Sequence, residues 1–305
     1  MGGKTQFTGW LDHGWGLQVN TANQLLKLIG HIALLKQDRT YAWRGQSDAS
    51  HDFSSSLYRR LAKQHSVVTE DIVRDEELRI LKEARRWGLG RDLGPSATDL
   101  HLLAVLQHHG VPTRLIDVTS NPMTALWFAI EEPSADLHLA AQRTPGVLFA
   151  VDVTPTDWYA TFQHAEGQTF EHSVSPLGAS YKQALEKSES KGHFFRAYPA
   201  LPDERMKAQE GYFLGSHVPG RHKAPGVMGM NPIGARPGAE KLEKLVKASE
   251  GPGRPPTLPF CAIVIPPRVK DRLRDPLRRT YNRRRRVLFP DVEGFREAFD
   301  RDQLD

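Results

Sequence analysis

The chain is 305 residues long, 39% hydrophobic and 25% charged, which is too apolar for wholesale disorder and suits one large or two small globular domains. Its formal charge is +5, but ten lysines and arginines against two aspartates fall between Arg268 and Arg286, leaving a body of net charge −3. A uniformly basic nucleic-acid binder is thereby excluded, and the single cysteine excludes both an intramolecular disulfide framework and a Cys-rich zinc module.

Along the chain, Thr21 to Leu35 places apolar residues at 25, 26, 28, 29, 32 and 35, one face of a helix capped by Thr21. Tyr41-Ala-Trp-Arg-Gly45 reads as a short aromatic strand that ends at its glycine. Thr69 to Trp87 predicts a second helix, with Glu70 and Asp71 in its first turn and Lys82, Arg85 and Arg86 near its end, signs that suit the helix dipole. Ser96-Ala-Thr-Asp99 resembles a capping box for a third helix that stops at Gly110. Val111 to Thr119 is strand-like, and Asn121-Pro122 opens a short helix, since a proline's missing N–H is no loss in a first turn. Gly146 to Val153 and Phe260 to Ile265 are continuous apolar runs rich in β-branched residues, the pattern of buried strands. Between them, Gly215 to Gly238 holds six glycines and four prolines in 24 residues without a period, followed by a charged helix over 239–250 and a breaker run from Gly251 to Pro256.

These elements predict an α+β fold, a mixed sheet with flanking helices. The expected partition is a helical lead-in over 1–40, a core over 41–214, a Gly/Pro-rich mobile insertion over 215–258, and a C-terminal strand and basic helix over 259–305 that return to the same core. No apolar run approaches the ~20 residues of a membrane span, and the opening Met-Gly-Gly-Lys-Thr-Gln lacks the apolar stretch of a signal peptide. A cytoplasmic protein with no membrane partner is expected.

Several common signatures are absent. There is no G-x-x-x-x-G-K-[ST] loop and no G-x-S-x-G elbow, and Gly88-Leu-Gly-Arg-Asp-Leu-Gly94 misses the G-x-G-x-x-G spacing by one residue. Cys261 lies within an apolar strand, the setting of an inert buried thiol. His108 and His109 are adjacent, hence about 100° apart on a helix, and no H-E-x-x-H frame surrounds them, so no metal site is expected. Arg60 and His65 keep the Arg-x4-His spacing of one ribonuclease class, with Leu61 where a polar residue is usual.

Two blocks carry more. One is Tyr41-Ala-Trp-Arg-Gly-Gln46 with Phe53-Ser-Ser-Ser-Leu-Tyr-Arg59; the other is Leu106-Gln-His-His-Gly-Val-Pro-Thr-Arg-Leu-Ile-Asp117 through Pro122 and on to Ala125-Leu-Trp-Phe-Ala129. With Arg205-Met-Lys-Ala-Gln209-Glu-Gly-Tyr-Phe213 and Leu288-Phe-Pro-Asp-Val292, they resemble the FRG domain family, whose aromatic-Arg-Gly motif stands here as Trp43-Arg44-Gly45. FRG domains are largely undefined in function and recur in bacterial and phage genomes in settings that suggest conflict systems. The same Arg-Gly strand resembles the opening motif of arginine-type ADP-ribosyltransferases, whose arginine contacts the phosphates of NAD. Thr113 to Thr119 leading into Ala125 to Ala129 resembles their second motif, with Asp117 where they carry hydroxyls, and Gln209-Glu210 their third, as Gln-Glu-Gly rather than Glu-x-Glu.

The resemblance implies an α+β fold like that of the transferases and NAD as the cofactor consumed. Arg44 and Gly45 would meet the pyrophosphate, a planar guanidinium giving bidentate contacts and the glycine a close backbone approach. Arg59 or Arg114 would add a second phosphate contact, and Thr113 and Thr119 belong to the nucleotide-facing strand. Asp117 or Glu210, with Gln209, would stabilise the oxocarbenium character that develops at the ribose. The alternative for Arg44 is an internal ion pair with Asp117, and for Asp117 the cap of the helix beginning near Asn121. Arg278, Arg279, Arg283, Arg284, Arg285 and Arg286 form a basic cluster suited to a nucleic-acid partner, or else a solvated face. The function expected is an NAD-using ADP-ribosyltransferase-like toxin or defence effector, as in phage defence. The alternatives are a non-catalytic nucleotide or nucleic-acid binding module and, last, a metal-independent ribonuclease.

Overall fold

A computed structural model describes residues 9–33, 39–90, 98–131, 144–154, 156, 158–160, 179–198, 203–220, 225–230, 238–249 and 258–300. Eight strands form one mixed sheet: β1 (Gly16–Gln18), β2 (Tyr41–Gln46), β3 (Ile116–Thr119), β4 (Gly146–Asp152), β5 (Trp158–Ala160), β6 (Phe195–Tyr198), β7 (Gly211–Gly215) and β8 (Phe260–Ile265). Their spatial order is β1-β8-β4-β2-β3-β7-β6-β5, parallel at the two outermost pairs and antiparallel elsewhere. The helices are α1 (Ala22–Ala33), α2 (Ser56–Leu61), α3 (Glu70–Arg86), α4 (Asp99–His108), α5 (Pro122–Ile130), α6 (Ala179–Lys191), α7 (Glu204–Ala208), α8 (Gly238–Ser249), α9 (Pro267–Arg279), α10 (Arg285–Leu288) and α11 (Val292–Asp300).

Period-two alternation explains the central strands. Leu148, Ala150, Cys261, Ile263 and Ile265 turn to one face, where α1, α5, α8 and α9 bury them. Val147, Phe149, Val151, Phe260, Ala262 and Val264 turn to the other and meet Trp10, Trp15 and Phe53 in an aromatic core. Phe53 and Phe149 stand edge to face with ring centroids 5.1 Å apart, an arrangement the ring quadrupoles favour. Both faces of β4 and β8 are covered, which is why each reads as an unbroken apolar run. The far half of the sheet has its own layer: Leu115, Phe195, Ala197 and Phe213 pack against α3, α4 and α6.

The helix termini follow their sequences with one shift. Thr69 caps α3 by accepting from the Ile72 N–H, and Asn121 caps α5 by accepting from the Met123 N–H, Pro122 opening the helix. The cap of α4 is Thr98, which accepts from the His101 N–H, rather than the expected Ser96, which lies outside the described residues. Leu35 of the first expected helix also lies outside them, as do Arg91 to Gly94 of the glycine run. The strand expected from Val111 is ordered as sheet only from Ile116. In the expected insertion, Gly215 belongs to β7, Val218, Val227 and Met230 are buried in the core, and Phe53 bridges to Val227; residues 221–224, 231–237 and 250–257 lie outside the described residues.

Two halves of the sheet meet at β2 and β3, which share a single register pair, Trp43 with Thr119. Every other position along β2 pairs only with β4. Away from the shared pair no strand pairing joins the two, and a cleft lies at the junction.

Candidate active-site cleft

Two glycines set the wall of the cleft. A Cβ on Gly45 would lie 1.8 Å from the Ala125 carbonyl oxygen, and one on Gly146 would lie 2.1 Å from that of Ala129. Only bare backbone lets α5 rest directly on β2 and β4. The bare Gly45 thus serves the approach of a helix, and the residue also lines the cleft. The strand also continues past it to Gln46.

The cleft holds about 390 Å³ and is lined by Trp43, Arg44, Gln107, Asp117, Phe128 and Phe289, among others. That size lies within the about 300–1,000 Å³ common for small-molecule sites. Arg44 is 21% exposed along its side chain; its Nη1 donates to the Asp117 backbone carbonyl at 2.6 Å and stands 4.0 Å from the Asp117 carboxylate. Its buried Nε has no hydrogen-bond partner among the described residues. Burial lowers the Arg44 pKa and Asp117 opposes the shift, while nearby Arg59 adds to it. Asp117, 53% exposed, is steadied by Gln107, whose Nε2 donates to Oδ2 at 2.8 Å. The Gln107 Oε1 accepts from the Thr113 hydroxyl at 2.8 Å, which fixes the amide's orientation.

The opposite wall is locked by charge. Arg205 grips Asp291 with two parallel bonds of 2.7 and 2.8 Å and lies over the Phe289 ring, 4.9 Å from its centroid. The guanidinium holds the Asp291 pKa below its ordinary value. His108 stands 2.5 Å from the Asp203 carboxylate, which also caps α7. Gln209 lines the cleft, but its side-chain Nε2 donates to the Leu288 carbonyl at 3.0 Å and its backbone carbonyl accepts from the Thr119 hydroxyl at 2.7 Å.

Arg44, Gly45, Asp117, Thr119 and Gln209 thus share one cleft, from positions up to 165 residues apart when Arg44 and Gln209 are compared. Glu210 itself is not in its lining. It sits at φ +51°, with its carboxylate held by Asn121 Nδ2 at 2.8 Å and Arg283 Nη2 at 3.0 Å. Arg114 is corrected from phosphate ligand to buried anchor: 2% exposed, it bonds Glu70 at 2.9 Å and Glu77 at 2.8 Å, beneath Tyr181. Thr113 is fully buried and serves Gln107 and the Leu115 N–H. Arg59 is outside the lining yet close enough to Asp117 and Asp52 for both to raise its pKa against the effect of burial. Asn121, not Asp117, caps α5.

The arginine cluster is not one basic surface. Arg285 is buried between Glu297, at 2.9 Å, and Glu131; Arg283 pairs with Glu210; and Arg279 faces Asp275. Arg286 is exposed, Arg284 half-buried, and Arg278 sits in the last turn of α9. Arg60 and His65 are exposed and do not line the cleft. Burial pushes the Cys261 thiol up to about 12. No group of three or more potential metal ligands occurs among the described residues, and no helix among them is long and apolar enough to cross a membrane.

Gln107 and Phe289 stand within blocks conspicuous in the sequence, but nothing in the sequence gave them a role. Gln107 matters only because Asp117, ten residues on, folds back beside it.

This is an α+β chain whose Trp43-Arg44-Gly45 strand lines a cleft between two halves of a sheet. The FRG domain model matches residues 39–137, from just before β2 to seven residues past the end of α5, so the chain carries an FRG domain there. Neither curated proteins nor solved structures yield a match.

Proposed function

We propose that the cleft binds NAD as a substrate and that the protein acts as an ADP-ribosyltransferase-like enzyme. The observation that carries this reading is the Arg44 guanidinium: it lines the cleft, is largely desolvated, and keeps a buried Nε without a hydrogen-bond partner among the described residues. An unsatisfied buried donor costs about 1–3 kcal/mol, which an anionic ligand would recover. A pyrophosphate suits it, being doubly charged and able to take a planar fork. Phe128 and Phe289 offer apolar surface for a flat ring.

Asp117 is the carboxylate in the lining, close to Arg44 and oriented by Gln107. Its charge would stabilise the ribose as the glycosidic bond breaks and the electron pair stays on the nicotinamide nitrogen, releasing a neutral base. An acceptor then bonds the ribose carbon and loses a proton. Because Glu210 is engaged by Arg283 and Asn121, Asp117 is assigned the electrostatic role ahead of it. Such chemistry depletes NAD or marks a macromolecule, which is what a toxin or defence effector would do.

The test is incubation with NAD labelled in both halves, scored for free nicotinamide and for label on protein or nucleic acid. Turnover in the parent, lost in Arg44→Ala and in Asp117→Asn, is the expected result. A parent that neither binds nor consumes NAD overturns it.

A further inference from the structure

An acceptor that bonds the ribose must give up a proton, and the lining of the cleft includes an imidazole, that of His108. His108 is the last residue of α4, and Gln107 before it holds the Asp117 carboxylate, so backbone ties the imidazole to the Arg44–Asp117 wall. Its Nε2 stands 2.5 Å from Asp203 Oδ2, while Asp203 Oδ1 accepts from the Met206 N–H at 2.7 Å. One carboxylate therefore caps α7 with one oxygen and fixes the imidazole with the other. The His108 side chain is 16% exposed and largely desolvated where it meets the cleft; Asp203, outside the lining, is open to water. His108 Nδ1 makes no hydrogen bond to the described residues. With a proton on Nε2 to meet the carboxylate, Nδ1 keeps its lone pair and can act as a base.

We propose that His108, oriented by Asp203, is the general base of the cleft, taking the proton of the hydroxyl that attacks the ribose, water where no other acceptor is present. This rests on the reading of the cleft as an NAD site. Nδ1 takes the proton as the water oxygen bonds the anomeric carbon; the bond to nicotinamide breaks with its electron pair on the ring nitrogen. The products are nicotinamide, ADP-ribose and one proton, which His108 passes to solvent. Asp203 and the negative pole at the end of α4 both stabilise the imidazolium formed on the way. The charged or titratable groups around His108 are Asp203, the exposed Glu204 and Arg205 at the start of α7, His109 with its ring 5.2 Å away, Asp291, and Asp117 with Arg44 beyond Gln107. The Asp291 pKa, held low chiefly by its bonds to Arg205, is lowered further by His108 itself.

The experiment measures NAD affinity by calorimetry and nicotinamide release from about pH 5 to 9 for the parent, His108→Gln, His108→Ala and Asp203→Asn. His108→Gln should bind NAD within about twofold of the parent, lose about 10²–10⁴ in turnover, and lack the parent's fall in rate toward acid pH, where a histidine base is protonated. Added imidazole should restore part of the rate to His108→Ala, which a merely structural histidine would not allow. Asn caps a helix about as well as Asp, so Asp203→Asn should keep the fold; its imidazolium lacks the carboxylate, and the acidic limb should move to lower pH. Unimpaired turnover in His108→Gln, an acidic limb that persists in it or stays unmoved in Asp203→Asn, no rescue by imidazole, or affinity lost in step with rate would overturn the base while leaving the NAD reading intact. A parent that neither binds nor consumes NAD overturns both.

Discussion

Arg44 and Arg114 are 70 positions apart, both desolvated, and opposite in what surrounds them. Arg114 is enclosed by Glu70, Glu77, Tyr181 and the Ser216 carbonyl, so its charge is answered within the fold and ties α3, α6 and the strand leading into β3. Arg44 meets one backbone carbonyl at close range, a carboxylate only at 4.0 Å, and leaves a buried nitrogen bare. The lesson is that burial alone does not sort structural from functional arginines. What sorts them is how closely carboxylates enclose the guanidinium: Arg114 Nη2 also lacks a hydrogen bond but lies 2.7 Å from Glu77, whereas the carboxylate paired with Arg44 stands 4.0 Å away.

The largest effect that could break this comparison is at Arg114. Replacing it with alanine leaves the buried Glu77 carboxylate without its cation and Glu70 with only Arg74, at 3.4 Å, and should cost about 3–5 kcal/mol in denaturant unfolding. A loss below 1 kcal/mol would mean that the cluster is less closed than its geometry indicates. Gly45→Ala comes next: the new methyl would press into the α5 backbone, and overpacking of that kind costs about 1–3 kcal/mol, read as a fall in Tm. Arg44→Ala should cost only about 0.5–1.5 kcal/mol, the worth of its one carbonyl bond, while abolishing NAD binding. Arg44→Lys sharpens this: it keeps the charge but loses the fork, so affinity should still fall at least about tenfold.

Smaller effects are read through pH. The Asp291 pKa is depressed by Arg205, so their pair adds stability at neutral pH that disappears as pH falls through the depressed value. Being partly exposed, it is worth at most about 1 kcal/mol, and Arg205→Ala should flatten that acid limb in a stability–pH series. Asp52 has the opposite sign. Its folded pKa lies at about 6, above the ordinary 3.8, so the fold disfavours its charged form. Asp52→Asn should therefore stabilise the protein above about pH 6 and lose that advantage as pH falls toward 4. Equal stability at pH 5 and pH 8 would count against the burial of that carboxylate.

Much of the core was legible because its signals are local. The unbroken apolar runs of Gly146 to Asp152 and Phe260 to Ile265 encode strands buried on both faces, and Thr69 and Asn121 carry the chemistry of their own caps. The short elements α2, β5 and β6 were not legible: they carry neither a measurable period nor an unbroken apolar run like that of β8, and such runs form only when a neighbour is already in place.

For the site, the sequence by itself determined which residues stood out: the Trp43-Arg44-Gly45 strand, the block from Leu106 to Pro122, and the arginine-rich end. Only the tertiary structure decided what each one does. It gave Gly45 to helix packing, closed Arg114 within a carboxylate shell, dispersed the arginine cluster among Glu131, Glu210 and Glu297, and set Gln107 beside Asp117. The physical reason is the same in each case. A charged side chain's role depends on which partners reach it in three dimensions, and those partners come from strands and helices that no local pattern links.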